Sequence, residues 1–206
     1  MHAVLSLVMG YFIGCIHPAK LVAKRHDVNL KESGTGNLGA TNTALVLGKK
    51  AGYFVLIVDI FKSFFSYKLA KLLFPHLATI GVIACIGVIL GHAFPVFHGF
   101  QGGKSLASFG GLVLAHDPLQ FVILLSLGIV MSLLMNYGVY LAVTATTLFP
   151  FFSWLRSGSF QTFLVTAAAS SIVLGLHFGN LRKAISGQDP LNAREGLKKI
   201  FGKKFN

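Results

Sequence analysis

Carboxylates are the scarce side chains in this sequence, with six Asp and Glu against eighteen Lys and Arg in 206 residues. Mg2+ sites want carboxylate oxygens, and near the polar stretches only Asp27, Glu32, Asp189 and Glu195 could supply them. A site here is poorly suited to divalent-metal work, and neither a metal nor another cofactor is expected. Cysteine is nearly missing too. Cys15 and Cys85 both sit in apolar runs without a Cys-x-x-Cys pair, which excludes a disulfide framework and a thiolate metal site. Charged residues make up 12% of the chain against 54% hydrophobic. With a mean hydropathy of +0.71, that is too apolar for a soluble domain and implies an all-α, polytopic membrane protein. The N-terminal run has no basic n-region before it and no Ala-x-Ala signal after it, so it reads as a retained helix. The formal charge of +12 suits anionic lipid and phosphate and does not by itself indicate nucleic acid. No protein partner is inferred.

What is present is a series of apolar runs. Ala3 to Ala23 is long enough to cross a hydrocarbon core of ~30 Å and is stopped by Lys24 and Arg25. The polar stretch to Lys50 carries five basic residues, which marks it cytoplasmic and puts the N-terminus outside. Helices are expected over Gly52 to Phe74, Leu77 to Leu90, Leu119 to Met135, Val139 to Leu155 and Phe160 to Leu176. Trp154 and Arg156 suit the interface. Asp59 and Lys62, three apart on one helix, form an expected internal ion pair. Ser105 to Ala115 covers only about half the core. The chain thus has seven transmembrane helices, or five if that run does not cross and forms a non-crossing pair with the run after it. Either count leaves the N-terminus outside, and seven basic residues put the C-terminal tail inside. With no internal repeat, residues 1–206 read as a single membrane-embedded domain.

Three polar stretches fall on the cytoplasmic side. Ser33 to Asn42 is dense in glycine, hydroxyl and amide groups, a composition that suits either a ligand-facing backbone or an ordinary turn before a helix cap. Gly91 to Lys104 packs two histidines, three phenylalanines, a glycine pair and Lys104 between apolar runs. Such a pair lets backbone amides approach an anion beside a point charge. His177, Asn180 and Lys183 recur every third residue and share a face if the last helix continues through them. The inventory of amides, Lys104, Lys183 and histidine suits phosphate esters. No histidine is followed five residues later by Asp, so a His-x-x-x-x-Asp general-base pair is missing. Any transfer reaction here needs an already activated donor.

Thr35 to Asn42, Gly91 to Lys104, and His177, Asn180, Lys183 with Gly187 to Asp189 resemble, in order, the three motifs of the bacterial acyl-phosphate:glycerol-3-phosphate acyltransferases. The Asp-x-x-Lys at Asp59 and Lys62 is similar as well, and the resemblance covers essentially the whole chain. It implies transfer of a fatty acyl group from acyl phosphate to the 1-hydroxyl of glycerol 3-phosphate, giving lysophosphatidic acid and phosphate. That is the first acylation of bacterial phospholipid synthesis, run on the cytoplasmic face of a multi-pass protein of the cell membrane. Thr35, Lys104, His177 and Asn180 are then the catalytic residues. Gly36, Asn37, Thr41, Asn42, His92, Gly102, Gly103 and Lys183 bind substrate, with the Gly102 and Gly103 amides and Lys104 cradling the acyl-phosphate phosphate. The hydroxyl proton goes to a substrate phosphate or to His177.

The sequence departs from the family pattern at Thr35 (serine), Gln101 (lysine), Ser105 (glycine), Lys183 (arginine) and Asp189 (glutamate). Leu45 stands where the family usually has arginine, and an isobutyl group cannot replace that fork of donors. Two other readings follow, a paralogue with an altered acceptor or weak activity, and a small phosphate or lipid transporter. Against the transporter stand the missing repeat and the gathering of polar residues on one face.

Overall fold

The computed structural model describes residues 1–187, so Asp189, Glu195 and the basic tail from Arg194 onward lie outside the described residues. Among the described residues the chain forms nine α-helices and one 3-10 turn, with no β-strand. In order these are α1 (His2–Gly14), α2 (Pro18–Arg25), α3 (Ala40–Leu47), α4 (Lys49–Leu73), α5 (Ile80–Ala93), the 3-10 turn Val96–His98, α6 (Leu106–His116), α7 (Pro118–Leu134), α8 (Val139–Ser157) and α9 (Phe160–Ile185).

Helix α4 is inside-out by the standards of a soluble helix. It buries Asp59, Lys62, Ser63 and Ser66 and exposes Ile57, Phe61 and Phe65, the arrangement a helix takes when its outer solvent is lipid. Among the described residues three segments, His2–Arg25, Ile80–His98 and Phe160–Ile185, are long and apolar enough to cross a membrane.

The first run is not the single helix expected over Ala3 to Ala23. Pro18 opens α2, and His17 before it is extended at φ −112° and ψ 91°. Proline has no N–H for the carbonyl four residues back, and its ring drives the preceding residue out of the α region. The break leaves α1 with 13 residues, about 20 Å of helix. Lys62 Nζ of α4 donates to the freed carbonyls of Gly14 and Ile16 at 3.3 and 3.1 Å.

Helices α1 and α5 run side by side in the same direction. A Cβ on Gly10 would run into the Ala84 carbonyl, and one on Gly87 into the Leu7 carbonyl. The spacings Gly10-x-x-x-Gly14 and Gly87-x-x-x-Gly91 therefore seat the two backbones against each other, as small residues do between membrane helices. Helix α6, only 11 residues long, packs between α4 and α7. Its far end meets the C-terminal half of α4, where the Tyr67 hydroxyl and His116 Nδ1 are 3.2 Å apart. There Asp117 turns the chain. Its carboxylate accepts from the Leu119 and Gln120 amides, and Arg156 at the end of α8 pairs with it at 2.6 Å. Phe109 of α6 and Phe149 of α8 meet edge to face in the core shared by α5, α6, α8 and α9.

Candidate active site

The glycine-rich loop is built around Asn42. Gly34 and Gly36 take φ of +60° and +70°, a region that glycine enters without strain. Fully buried Asn42 donates from Nδ2 to the Leu30 and Ser33 carbonyls at 2.9 and 3.1 Å. Its Oδ1 accepts from the Thr35 amide at 2.6 Å. All of its amide atoms are thus committed to the loop. The expected ligand contact is instead a structural tie that aims Thr35, Asn37 and Thr41. Asn42→Ala leaves one buried N–H and two carbonyls without this partner, each worth about 1–3 kcal/mol. A thermal-unfolding midpoint well below wild type is expected, with loss of turnover as the loop loosens; an unchanged midpoint would contradict the tie.

The Gly102 and Gly103 amides, expected to face a phosphate, donate instead to the Ala93 and His92 carbonyls at 3.0 and 3.1 Å. These are last-turn acceptors of α5 that its own ladder cannot satisfy. A side chain on Gly102 would meet both carbonyls, and one on Gly103 would meet the His92 ring and the Leu38 carbonyl. The pair therefore serves close packing, and it delivers Lys104 to the loop's level. His92, expected to touch substrate, is buried at 2% exposure. Its Nδ1 accepts from Lys62 Nζ at 2.7 Å, and Lys62 also pairs with Asp59 at 2.7 Å. The expected Asp59–Lys62 pair is present, enlarged by His92 into a buried triad.

Helix α9 continues past the expected end at Leu176 to Ile185 and carries His177, Asn180 and Lys183. Buried His177 has Nδ1 2.9 Å from the Val173 carbonyl. A carbonyl can only accept, so Nδ1 bears the hydrogen, and Nε2 keeps a lone pair in the neutral ring. Lys104 Nζ donates to Asn180 Oδ1, which joins the second polar stretch to the third across 76 residues of chain.

These side chains border a cavity of about 760 Å³. Thr35, Asn37, Thr41, His92, Lys104, His177, Asn180 and Lys183 all line it, while Gly36, Asn42, Gly102 and Gly103 are not among its lining residues. Beyond that polar end the walls turn apolar, with Leu56, Ile60, Leu106, Gly110, Phe121 and Leu125 among them. This half was not anticipated. Its traces in the sequence are the helical repeats Leu56 and Ile60 on α4, Leu106, Gly110 and Val113 on α6, and Phe121 and Leu125 on α7. Gly34, Asp59 and Ser105 also reach the cavity. Among the described residues no group of three or more His, Cys, Asp or Glu side chains could hold a metal ion.

The family model for glycerol-3-phosphate acyltransferase matches residues 4–187. The chain belongs to the glycerol-3-phosphate acyltransferase family. Curated members of that family include a glycerol-3-phosphate acyltransferase from Thermoanaerobacter sp. (strain X514), 32% identical over 190 residues that cover 92% of this chain and 95% of the relative. Another, from Bacillus velezensis, is 32% identical across 90% and 95%. Two solved structures have the same fold. One is of PlsY (YgiH), described as an integral membrane glycerol 3-phosphate acyltransferase in its glycerol 3-phosphate form, with a TM-score of 0.86 and 26% identity over 95% of this chain and 98% of that one. The lysophosphatidic acid form gives 0.82 and 27% over 91% and 93%.

Proposed function

We propose that the protein transfers a fatty acyl group from acyl phosphate to the 1-hydroxyl of glycerol 3-phosphate at this cavity, releasing lysophosphatidic acid and phosphate. The observation that carries the reading is the shape of the cavity. Its polar end gathers Lys104, Lys183, His177, Asn180 and the Thr35 to Thr41 loop, and most of its other lining residues are apolar. A phosphate fits the first half and a fatty chain the second. Family membership and the ligands named for the two solved relatives point the same way.

Acyl phosphate is a mixed anhydride with a good leaving group, so the protein mainly has to hold two phosphates and a carbonyl in line. Lys104, steered by Asn180, meets the charge that builds on the departing phosphate. The glycerol hydroxyl forms the new ester bond as the carbon–phosphate oxygen bond breaks, and its proton ends on the released phosphate. His177 Nε2 can hold that proton on the way. Thr35, Asn37, Thr41 and Lys183 position the two substrates.

The chain crosses the bilayer seven times as one domain of residues 1–206, with its N-terminus outside and the active site on the cytoplasmic face of a bacterial cell membrane. Two features support this topology. The basic residues Lys24, Arg25, Lys31, Lys49 and Lys50 flank in sequence the Thr35 to Thr41 loop that lines the cavity, and α6 reaches the level of Tyr67 in the C-terminal half of α4.

Purified full-length protein given palmitoyl phosphate and glycerol 3-phosphate should release phosphate and form lysophospholipid together; a folded wild type that does neither sinks the reading. Leu45 favours a weakened acceptor site as a second reading. It lies one turn after Thr41 on α3 and is 57% exposed, so an arginine there has room to reach the polar end. Leu45→Arg should lower the KM for glycerol 3-phosphate by about tenfold, the scale of one charge-assisted hydrogen bond. An unchanged KM would show that position 45 does not serve the acceptor.

A further inference from the structure

Two glycines stand together in the middle of α6, at Gly110 and Gly111, where glycine weakens a helix relative to alanine. Their surroundings differ. A Cβ on Gly111 would run into the Ile60 carbonyl and the Ser63 side chain of α4, so the contact between α6 and α4 explains that glycine. Gly110 has no such reason. A Cβ there would lie 3.6 Å from Cε2 of Phe121, an ordinary contact, with no other neighbour within 4 Å. Packing would allow alanine or a larger residue at 110; what that side chain would fill is the cavity.

Gly110 and Phe121 both line the apolar half, with Ile60 on the α4 side and Leu125 farther along α7. Ile60, Phe121 and Leu125 offer no hydrogen-bonding group, so the ligand chemistry that fits this level is hydrocarbon. Gly110 lies four residues into α6 from Leu106, roughly 6 Å at helical rise, and Lys104 stands just before that helix. A short acyl group attached to a phosphate at Lys104 ends before this level, and a long one must pass it.

We propose, resting on the acyltransferase reading above, that Gly110 determines acyl-chain specificity. Its bare backbone is the passage for the donor's fatty chain, and the Phe121 ring forms the facing wall. The glycine is kept for substrate clearance at the expense of helix stability.

The test uses full-length protein with butyryl, octanoyl and palmitoyl phosphate at saturating glycerol 3-phosphate. It is read as kcat/KM for palmitoyl relative to the shortest donor that wild type turns over. Gly110→Leu should lower that ratio about tenfold or more, the scale of discrimination an apolar pocket achieves. Phe121→Ala added to Gly110→Leu should restore part of it. Gly110→Ala should unfold at or above the wild-type temperature, whereas Gly111→Ala should unfold below it. An unchanged ratio in Gly110→Leu, or an equal loss for every donor in a protein that keeps its unfolding temperature, overturns the proposal. So does a lowered unfolding temperature in Gly110→Ala, since that would mean packing needs the glycine. Wild type that turns over no acyl phosphate fells the acyltransferase reading and this one together; wild type that turns over all three while Gly110→Leu keeps their ratio fells this one alone.

Discussion

Lys104→Ala is expected to lower the rate of phosphate release by about 10²–10³-fold at saturating substrates, the usual effect of removing a preorganised donor from a developing anion. Lys104 lines the polar end of the cavity and is held by Asn180 from α9. Its backbone is fixed by Gly102 and Gly103 on the end of α5. It is neither part of the buried triad nor fully buried, so its removal should leave the unfolding temperature near wild type. That separation of activity from stability is the decisive readout. Lys104→Arg should restore only part of the rate, because a planar fork cannot occupy the position of an ammonium aimed by one amide oxygen. Asn180→Ala should cost less than Lys104→Ala, since it frees the lysine without deleting the charge. A Lys104→Ala protein that retains a tenth or more of wild-type turnover would remove Lys104 from its catalytic role.

The sequence made the helical class legible because apolar runs of crossing length leave few alternatives, and it made α9 legible because His177, Asn180 and Lys183 keep helical spacing past the apolar run. Local geometry carried both. The break at Pro18 was also local, and hydropathy hid it: Pro18, Ala19 and Val22 kept the run apolar while proline chemistry ended the helix. Long-range contacts were not legible. Nothing in the order of residues says that Asn42 turns back to Leu30 and Ser33, or that the Gly102 and Gly103 amides close on α5. Both positions carry residue types a ligand site would also use, so composition could not tell a tie from a contact. Charge pairing falls between these cases. Asp59 and Lys62 announced themselves by spacing, but His92, thirty residues beyond Lys62, joined them only in three dimensions.

Lys62→Met should destabilise the fold by about 3–5 kcal/mol, the range for removing one partner of a buried ion pair. The Lys62 ammonium has three hydrogens and four acceptors within reach: Asp59 Oδ1, His92 Nδ1, and the Gly14 and Ile16 carbonyls. Its loss leaves a carboxylate that is 1% exposed with only His92 Nδ1, 3.3 Å away, as a charge-compensating neighbour, and uncaps the break between α1 and α2. The damage should also reach the active site, because the His92 carbonyl anchors Gly103 beside Lys104. Turnover per folded molecule should therefore fall together with stability, unlike in Lys104→Ala. Asp59→Asn in the Lys62→Met background removes the stranded charge while the two carbonyls stay uncapped. The double variant should accordingly regain part of the lost stability and fall short of wild type, giving a coupling between the sites that simple addition of the single effects cannot reproduce. Thermal unfolding of the four proteins in detergent measures the cycle. Strict additivity, or a Lys62→Met protein within about 1 kcal/mol of wild type, a loss typical of exposed pairs, would mean that the triad does not hold α1, α4 and α5 together.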